Sequence, residues 1–354
     1  MKKRIALLLA TVLAVGTLAT ACGGNEGGKD AKVKVGLGVH VDQTYASKDA
    51  DATAEEGKQN GTTQADLHVA AVTIDADGKI VSVDVDSIQI KATFDPTGAV
   101  VAGTEQSFKT KEELGFDYNM VKYGPQPPAA IGKEWFEQSE AFEKYVVGMT
   151  KEQVEALLGT DGYTTDETLK AGCTIKVNGL VPAVVRAIED AQANSFEAAS
   201  TDKLALGVVG ETAKAQFDAE NLGASQAYAN FVAVTSDKDG KITNCVLDSV
   251  QVNFTWDATG KITSDLTKEP TTKYDLKEGY NMKGASAGKG NIEGGAEWYE
   301  QADAFMKFVK GMTADQVKGI STDESGYVTD ETLKAGCTMK ISAYQAAVAK
   351  ALAK

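Results

Sequence analysis

The chain has 354 residues and carries 36 Lys and Arg against 50 Asp and Glu, a formal net charge of −14 at pH 7. That balance excludes a protein that grips nucleic acid through a basic face and favours a solvated, well-dispersed surface. With 43% hydrophobic residues the composition supports ordinary packed cores, and the length allows about two domains.

Met1-Lys-Lys-Arg4 is followed by an apolar run, Ile5 to Val15, and by small residues up to Ala21. That is a positive start, a stretch too short to span a bilayer and a cleavage zone. Cys22, directly after Ala19-Thr20-Ala21, resembles the lipobox of bacterial lipoproteins, with Leu18 one step ahead of the family's Leu position. The resemblance implies residues 1–22 as signal peptide and anchor, Cys22 lipidated, and an extracytoplasmic protein lipid-anchored to the cell membrane. Residues 23–32, opening Gly23-Gly-Asn-Glu-Gly-Gly28, then read as a flexible tether. No other apolar run reaches the length of a membrane span. Lipidation of Cys22 leaves Cys173, Cys245 and Cys337, an odd number that does not read as a disulfide framework.

Past the tether the chain is a tandem duplication. Leu37-Gly-Val39 matches Leu206-Gly-Val208, Asp77-Gly-Lys-Ile80 matches Asp239-Gly-Lys-Ile242, and Tyr118-Asn-Met120 matches Tyr280-Asn-Met282. Trp135 pairs with Trp298 and Thr174 with Thr338, and copy one carries extra residues between Thr44 and Thr63. A period of about 160 residues marks a duplicated domain rather than a solenoid. The expected copies are residues 33–195 and 200–354.

Within copy one, Val33–Val41 reads as a strand. Ala65–Ile74 and Ile80–Ile90 alternate around Asp75-Ala-Asp-Gly78 as a hairpin. Lys91–Phe94 reads as a further strand before the turn Asp95-Pro-Thr-Gly98. Copy two repeats this with Leu204–Val209, Tyr228–Thr235 and Ile242–Val252. Glu134–Val147 then has a helical apolar stripe through Trp135, Phe136, Phe142, Tyr145 and Val146. Thr150-Lys-Glu-Gln153 and Thr313-Ala-Asp-Gln316 fit capping boxes. Leu180–Ala191 and Tyr344–Ala353 close the copies as helices, with Asn178 and Ser342 as expected N-caps. Strands first and helices after predict an α+β fold: two tandem repeats, each an antiparallel sheet with helices on one face.

The decapeptide Thr165-Asp-Glu-Thr-Leu-Lys-Ala-Gly-Cys-Thr174 recurs unchanged as Thr329 to Thr338. Its end, Gly172-Cys173-Thr174 or Gly336-Cys337-Thr338, reads equally as a backbone nest for a phosphate or as a tight structural turn. A nest needs the Gly and the Thr and tolerates change at Leu169; a corner needs Leu169 buried. Trp135 and Trp298 are read first as helix-core residues and second as walls for a planar ligand. His40 and His68 have no counterpart in copy two, where Val209 and Asn230 stand, and no metal-ligand spacing or Ser/His/Asp set is duplicated, so no metal or catalytic residue is assigned. A lone Cys without a resolving partner argues against thiol redox chemistry.

The hairpin Asp-Gly-Lys-Ile, the Trp-headed helix and Gly-Cys-Thr before a final helix resemble the FMN-binding domain of extracytoplasmic electron-transport proteins. In that family a Ser-Gly-Ala-Thr segment carries flavin on its Thr. Ala171 and Ala335 stand for the Ser here, and Cys173 and Cys337 for the Ala. The resemblance implies FMN as cofactor, one site per repeat at Gly172, Cys173, Thr174 and Gly336, Cys337, Thr338, with Trp135 and Trp298 as secondary candidates. It further implies an electron carrier served by a membrane redox partner. The alternative from another class is a non-catalytic surface lipoprotein that binds a small molecule or cell-wall component, with the decapeptide as a structural corner.

Overall fold

The computed structural model describes residues 31–54, 57–123, 131–218, 220 and 222–354. The expected signal peptide, Cys22 and the tether up to residue 30 lie outside the described residues. Among the described residues no helix is long and apolar enough to cross a membrane.

Strands β1 (Lys32–Asp42), β2 (Gly61–Ile74) and β3 (Ile80–Phe94) are followed by short β4 (Val100–Ala102) and β5 (Gln106–Phe108). Helices α1 (Lys111–Leu114), α2 (Met120–Tyr123), α3 (Trp135–Val146), α4 (Lys151–Glu155), α5 (Glu167–Lys170) and α6 (Leu180–Ala193) complete the first half. Then come β6 (Glu197–Ala199), β7 (Lys203–Phe217), β8 (Leu222–Ser236) and β9 (Ile242–Asp257). Helices α7 (Lys273–Leu276), α8 (Lys283–Ala287), α9 (Trp298–Val309), α10 (Ala314–Lys318), α11 (Glu331–Lys334) and α12 (Ser342–Ala353) end the chain. Two antiparallel sheets form, in the orders β4-β3-β2-β1-β6 and β5-β7-β8-β9.

The expected hairpin at Asp75–Gly78 is present: the Asp75 carboxylate accepts from the Asp77 and Lys79 N–H groups at 2.9 Å each, and Gly78 takes φ +75°. The expected break between Ile90 and Lys91 is absent. β3 runs unbroken because Lys91–Phe94 continue the ladder onto Gly61–Gln64. Both capping boxes form. The expected N-caps do not: the cap positions of α6 and α12 are Gly179 and Ile341, neither with a side-chain cap bond. Gly179 is needed for another reason, since a Cβ there would stand 2.2 Å from the His68 ring.

Side-chain alternation builds the layers. On β2, Ala65, Leu67, Val69 and Ala71 face the second sheet, while Ala70, Val72 and Ile74 face the helices. On β8, Ala227, Ala229, Phe231 and Ala233 meet the first sheet, and Val232 and Val234 meet α9 and α12. Each sheet thus has helices on one face and the other sheet on its other face, giving four layers in an α+β fold. The helices sit close because the strands carry glycine beneath them. A Cβ on Gly38 would lie 2.3 Å from the Ala183 carbonyl oxygen, and one on Gly207 would lie 1.9 Å from that of Ala347.

The halves also exchange edges. β5, from the first half, pairs with β7 of the second. In return the Gln43 amide donates to the Lys268 carbonyl at 2.7 Å, and Val41 N–H donates to Glu269 Oε1 at 2.9 Å. The Arg186 guanidinium grips the Glu269 carboxylate with two bonds of 2.6 and 2.7 Å.

The repeated corner and a caged lysine

Each decapeptide begins as a helix cap. Asp166 accepts from Thr168 and Leu169 N–H at 2.8 and 2.9 Å, and Asp330 accepts from Thr332 and Leu333 N–H at 3.0 and 2.9 Å. These bonds to the carboxylate, that from Leu169 foremost, hold Asp166 below its ordinary pKa. Glu167 and Glu331 point outward and pair only with Lys170 and Lys334 in the same turn.

The chain then dives inward. Leu169 and Leu333 are 2% exposed, and Cys173 and Cys337 are fully buried. The Gly172 and Cys173 N–H groups both donate to the Leu169 carbonyl, at 2.9 and 2.8 Å, and Gly336 and Cys337 do the same to Leu333. Thr174 N–H donates to Gln138 Oε1 at 2.7 Å and its hydroxyl reaches the same oxygen at 3.2 Å; Thr338 repeats this on Gln301 at 2.8 and 3.1 Å. Those glutamines are themselves anchored, Gln138 by donating to the Lys133 carbonyl and Gln301 by donating to that of Ala296. Every N–H of the expected nest is therefore consumed inside the protein. Gly172 and Gly336 have no positive φ to require glycine. A Cβ on either would stand 3.0 Å from the Ala141 or Ala304 methyl on α3 or α9, a tight contact.

The expected ring walls are core. Trp135 is 4% exposed and Trp298 2%, and the Trp298 indole N–H donates to the Tyr344 hydroxyl at 3.2 Å. Burial drives the Cys173 and Cys337 thiols up to about 11, so neither is a ready nucleophile. The cysteines among the described residues are all free.

What the sequence reading missed lies beside the tryptophans. The Lys273 ammonium sits over the rings of Tyr228, Tyr280 and Trp298 at 4.4, 4.7 and 5.7 Å and bonds the Tyr228 hydroxyl at 3.0 Å. Burial lowers it to about 8, and burial raises the neighbouring Asp248 to about 7. At the matching place in copy one, Lys111 stands over Tyr118 and Trp135 at 5.1 and 5.5 Å. There Asp66 replaces Tyr228, and His68, held by Ser87 at 2.8 Å, replaces Asn230. Burial raises Asp66, while burial, with Lys111 and His40 nearby, keeps His68 neutral. The recurrence of Thr-Lys before the short helix and of Gln on the helix face was the available signal. No group of His, Cys, Asp and Glu among the described residues could hold a metal.

No family model matches the chain, and neither a curated protein nor a solved structure matches it.

Proposed function

We propose that the protein is a non-catalytic, extracytoplasmic lipoprotein, anchored through Cys22, that binds a small molecule, with the repeated decapeptide as a structural corner. The observation that carries this reading is the internal use of Thr174 and Thr338. Their hydroxyls and all the neighbouring N–H groups are spent on Gln138, Gln301 and the Leu169 and Leu333 carbonyls. A phosphate would have to displace those bonds. We place ligand contact at the Lys111 cluster of copy one, where the Asp66 carboxyl and the His68 imidazole stand in place of Tyr228 and Asn230 beside the equivalent ammonium. Asp66 accepts from the Gln64 amide at 2.8 Å and His68 is held by Ser87, and buried titratable groups gathered in this way cluster at functional sites.

The test co-produces the chain starting after Cys22 with a flavin transferase. The denatured band is then examined for flavin fluorescence and the intact mass is measured. The corner reading expects a colourless band, an unchanged mass, and a loss of about 1 kcal/mol in Thr174→Val against about 3 kcal/mol in Leu169→Ala. A mass gain of FMN that disappears in Thr174→Ala and Thr338→Ala would overturn it and establish the flavin-carrying electron-transfer lipoprotein instead.

A further inference from the structure

We propose that the two halves are a fused two-fold dimer, so that the surface between them is a complete interface whose natural partner is a second copy of the same domain. The inference is independent of any ligand.

Equivalent residues touch each other. Thr63 and Ser225, which occupy the same place in the duplication, meet hydroxyl to hydroxyl at 2.9 Å. Phe94 and Trp256, again equivalents, stack with centroids 4.4 Å apart and planes 9° from parallel. A residue packs on its own equivalent only at a two-fold axis.

Away from the axis the contacts are reciprocal, as an isologous interface requires. Gln106 pairs with Thr212, and their equivalents Lys268 and Gln43 are joined by the Gln43 side chain. Pro270 stands where Phe108 extends the ladder, so copy two makes this contact with side chains instead of a strand. Arg186 of α6 bonds Val39 O and a copy-two acid, Glu269; its equivalent Lys350 of α12 bonds Val208 O and a copy-one acid, Glu113, which stands at a different position from Glu269 in the repeat.

The surface enclosed by these contacts is apolar through its centre, from Val35, Leu67 and Ile88 to Val208, Phe231 and Val250. It is built like an obligate dimer interface, a domain core cut in half. The link between the halves needs only to pass through the exposed turn at Ser200 and Thr201, so chain continuity there is dispensable.

The test inserts a protease site between Ser200 and Thr201 in the chain starting after Cys22. After cleavage, gel filtration and native mass spectrometry at micromolar concentration should give one 1:1 complex of the two fragments. Phe94→Ala in the cleaved protein should raise the dissociation constant at least 100-fold. In the uncut chain, Thr63→Cys with Ser225→Cys should oxidise to a bridge that keeps the fragments together on a denaturing gel after cleavage. Separate fragments at micromolar concentration, an unchanged dissociation constant in Phe94→Ala, or no bridge would each overturn the proposal.

Discussion

Glu143 on α3 spends a buried carboxylate on one orphaned strand N–H. Its Oε1 accepts from Val85 N at 2.7 Å. At the equivalent place in copy two, the Met306 sulfur takes the Leu247 N–H at 3.0 Å. Burial, reinforced by the Asp84 and Glu112 carboxylates, raises Glu143 from an ordinary 4.5 to about 8. The folded state therefore keeps a proton that the unfolded chain gives up, and stability falls as pH rises from 4.5 toward 8. The slope is about 1.4 kcal/mol per pH unit, which accumulates to about 3 kcal/mol by pH 7. Glu143→Gln keeps an oxygen for Val85 and removes the titration. Urea unfolding of variant and wild type should show a gain of about 1 kcal/mol at pH 5.5, widening to about 3 kcal/mol at pH 7. Other titrating groups, Asp86 and Asp248 among them, are common to both proteins and cancel in the difference. A gain that does not change with pH would refute the reasoning, because it would mean that Glu143 is ionised in the folded protein throughout.

Lys277 has φ 49° and ψ −125°, a conformation suited to glycine, and its equivalent Gly115 adopts the same angles; Lys277→Gly should stabilise by about 1 kcal/mol, read as a rise in Tm, whereas Lys277→Ala should give no gain. Gly207→Ala would drive a methyl into the Ala347 carbonyl and should cost about 3 kcal/mol or more in urea unfolding. Burial pushes the Cys173, Cys245 and Cys337 thiols to about 11, 12 and 11. All three should resist a thiol reagent at pH 8 in the native protein and react together on unfolding.

The hairpins, the strand-then-helix order and the helix registers were legible because each rests on local chemistry: Asp-x-x-Gly turns, capping boxes, and apolar residues at helical spacing. The second buried face of each sheet was not. Val69–Ile74 is buried on both sides of the strand, and only a partner outside the segment explains that. The edge exchange through Gln106–Phe108 was equally hidden, since its short polar sequence carries no strand signal and its pairing is entirely tertiary. At the corner, the sequence marked Thr174 as a polar group at a turn but not Gln138 as its acceptor. The recurrence of Trp-x-x-Gln at Trp135–Gln138 and Trp298–Gln301 was the clue. A glutamine on an otherwise apolar helix face needs a buried partner. Gly179 could not be read at all without His68 lying across it.

The stack of Phe94 on Trp256 has a consequence for how such a chain can change over generations. In an assembly of two identical subunits, one codon change at the axis alters both sides of the contact at once, so a large ring must be accommodated twice or not at all. Fusing the copies gives each side its own codon. A Phe can then face a Trp, a Thr can face a Ser, and a Met can stand where the other copy keeps a carboxylate. Duplication thus converts a mutational step that must succeed in two places into two separate, smaller ones, and lets one copy specialise while the other holds the shape.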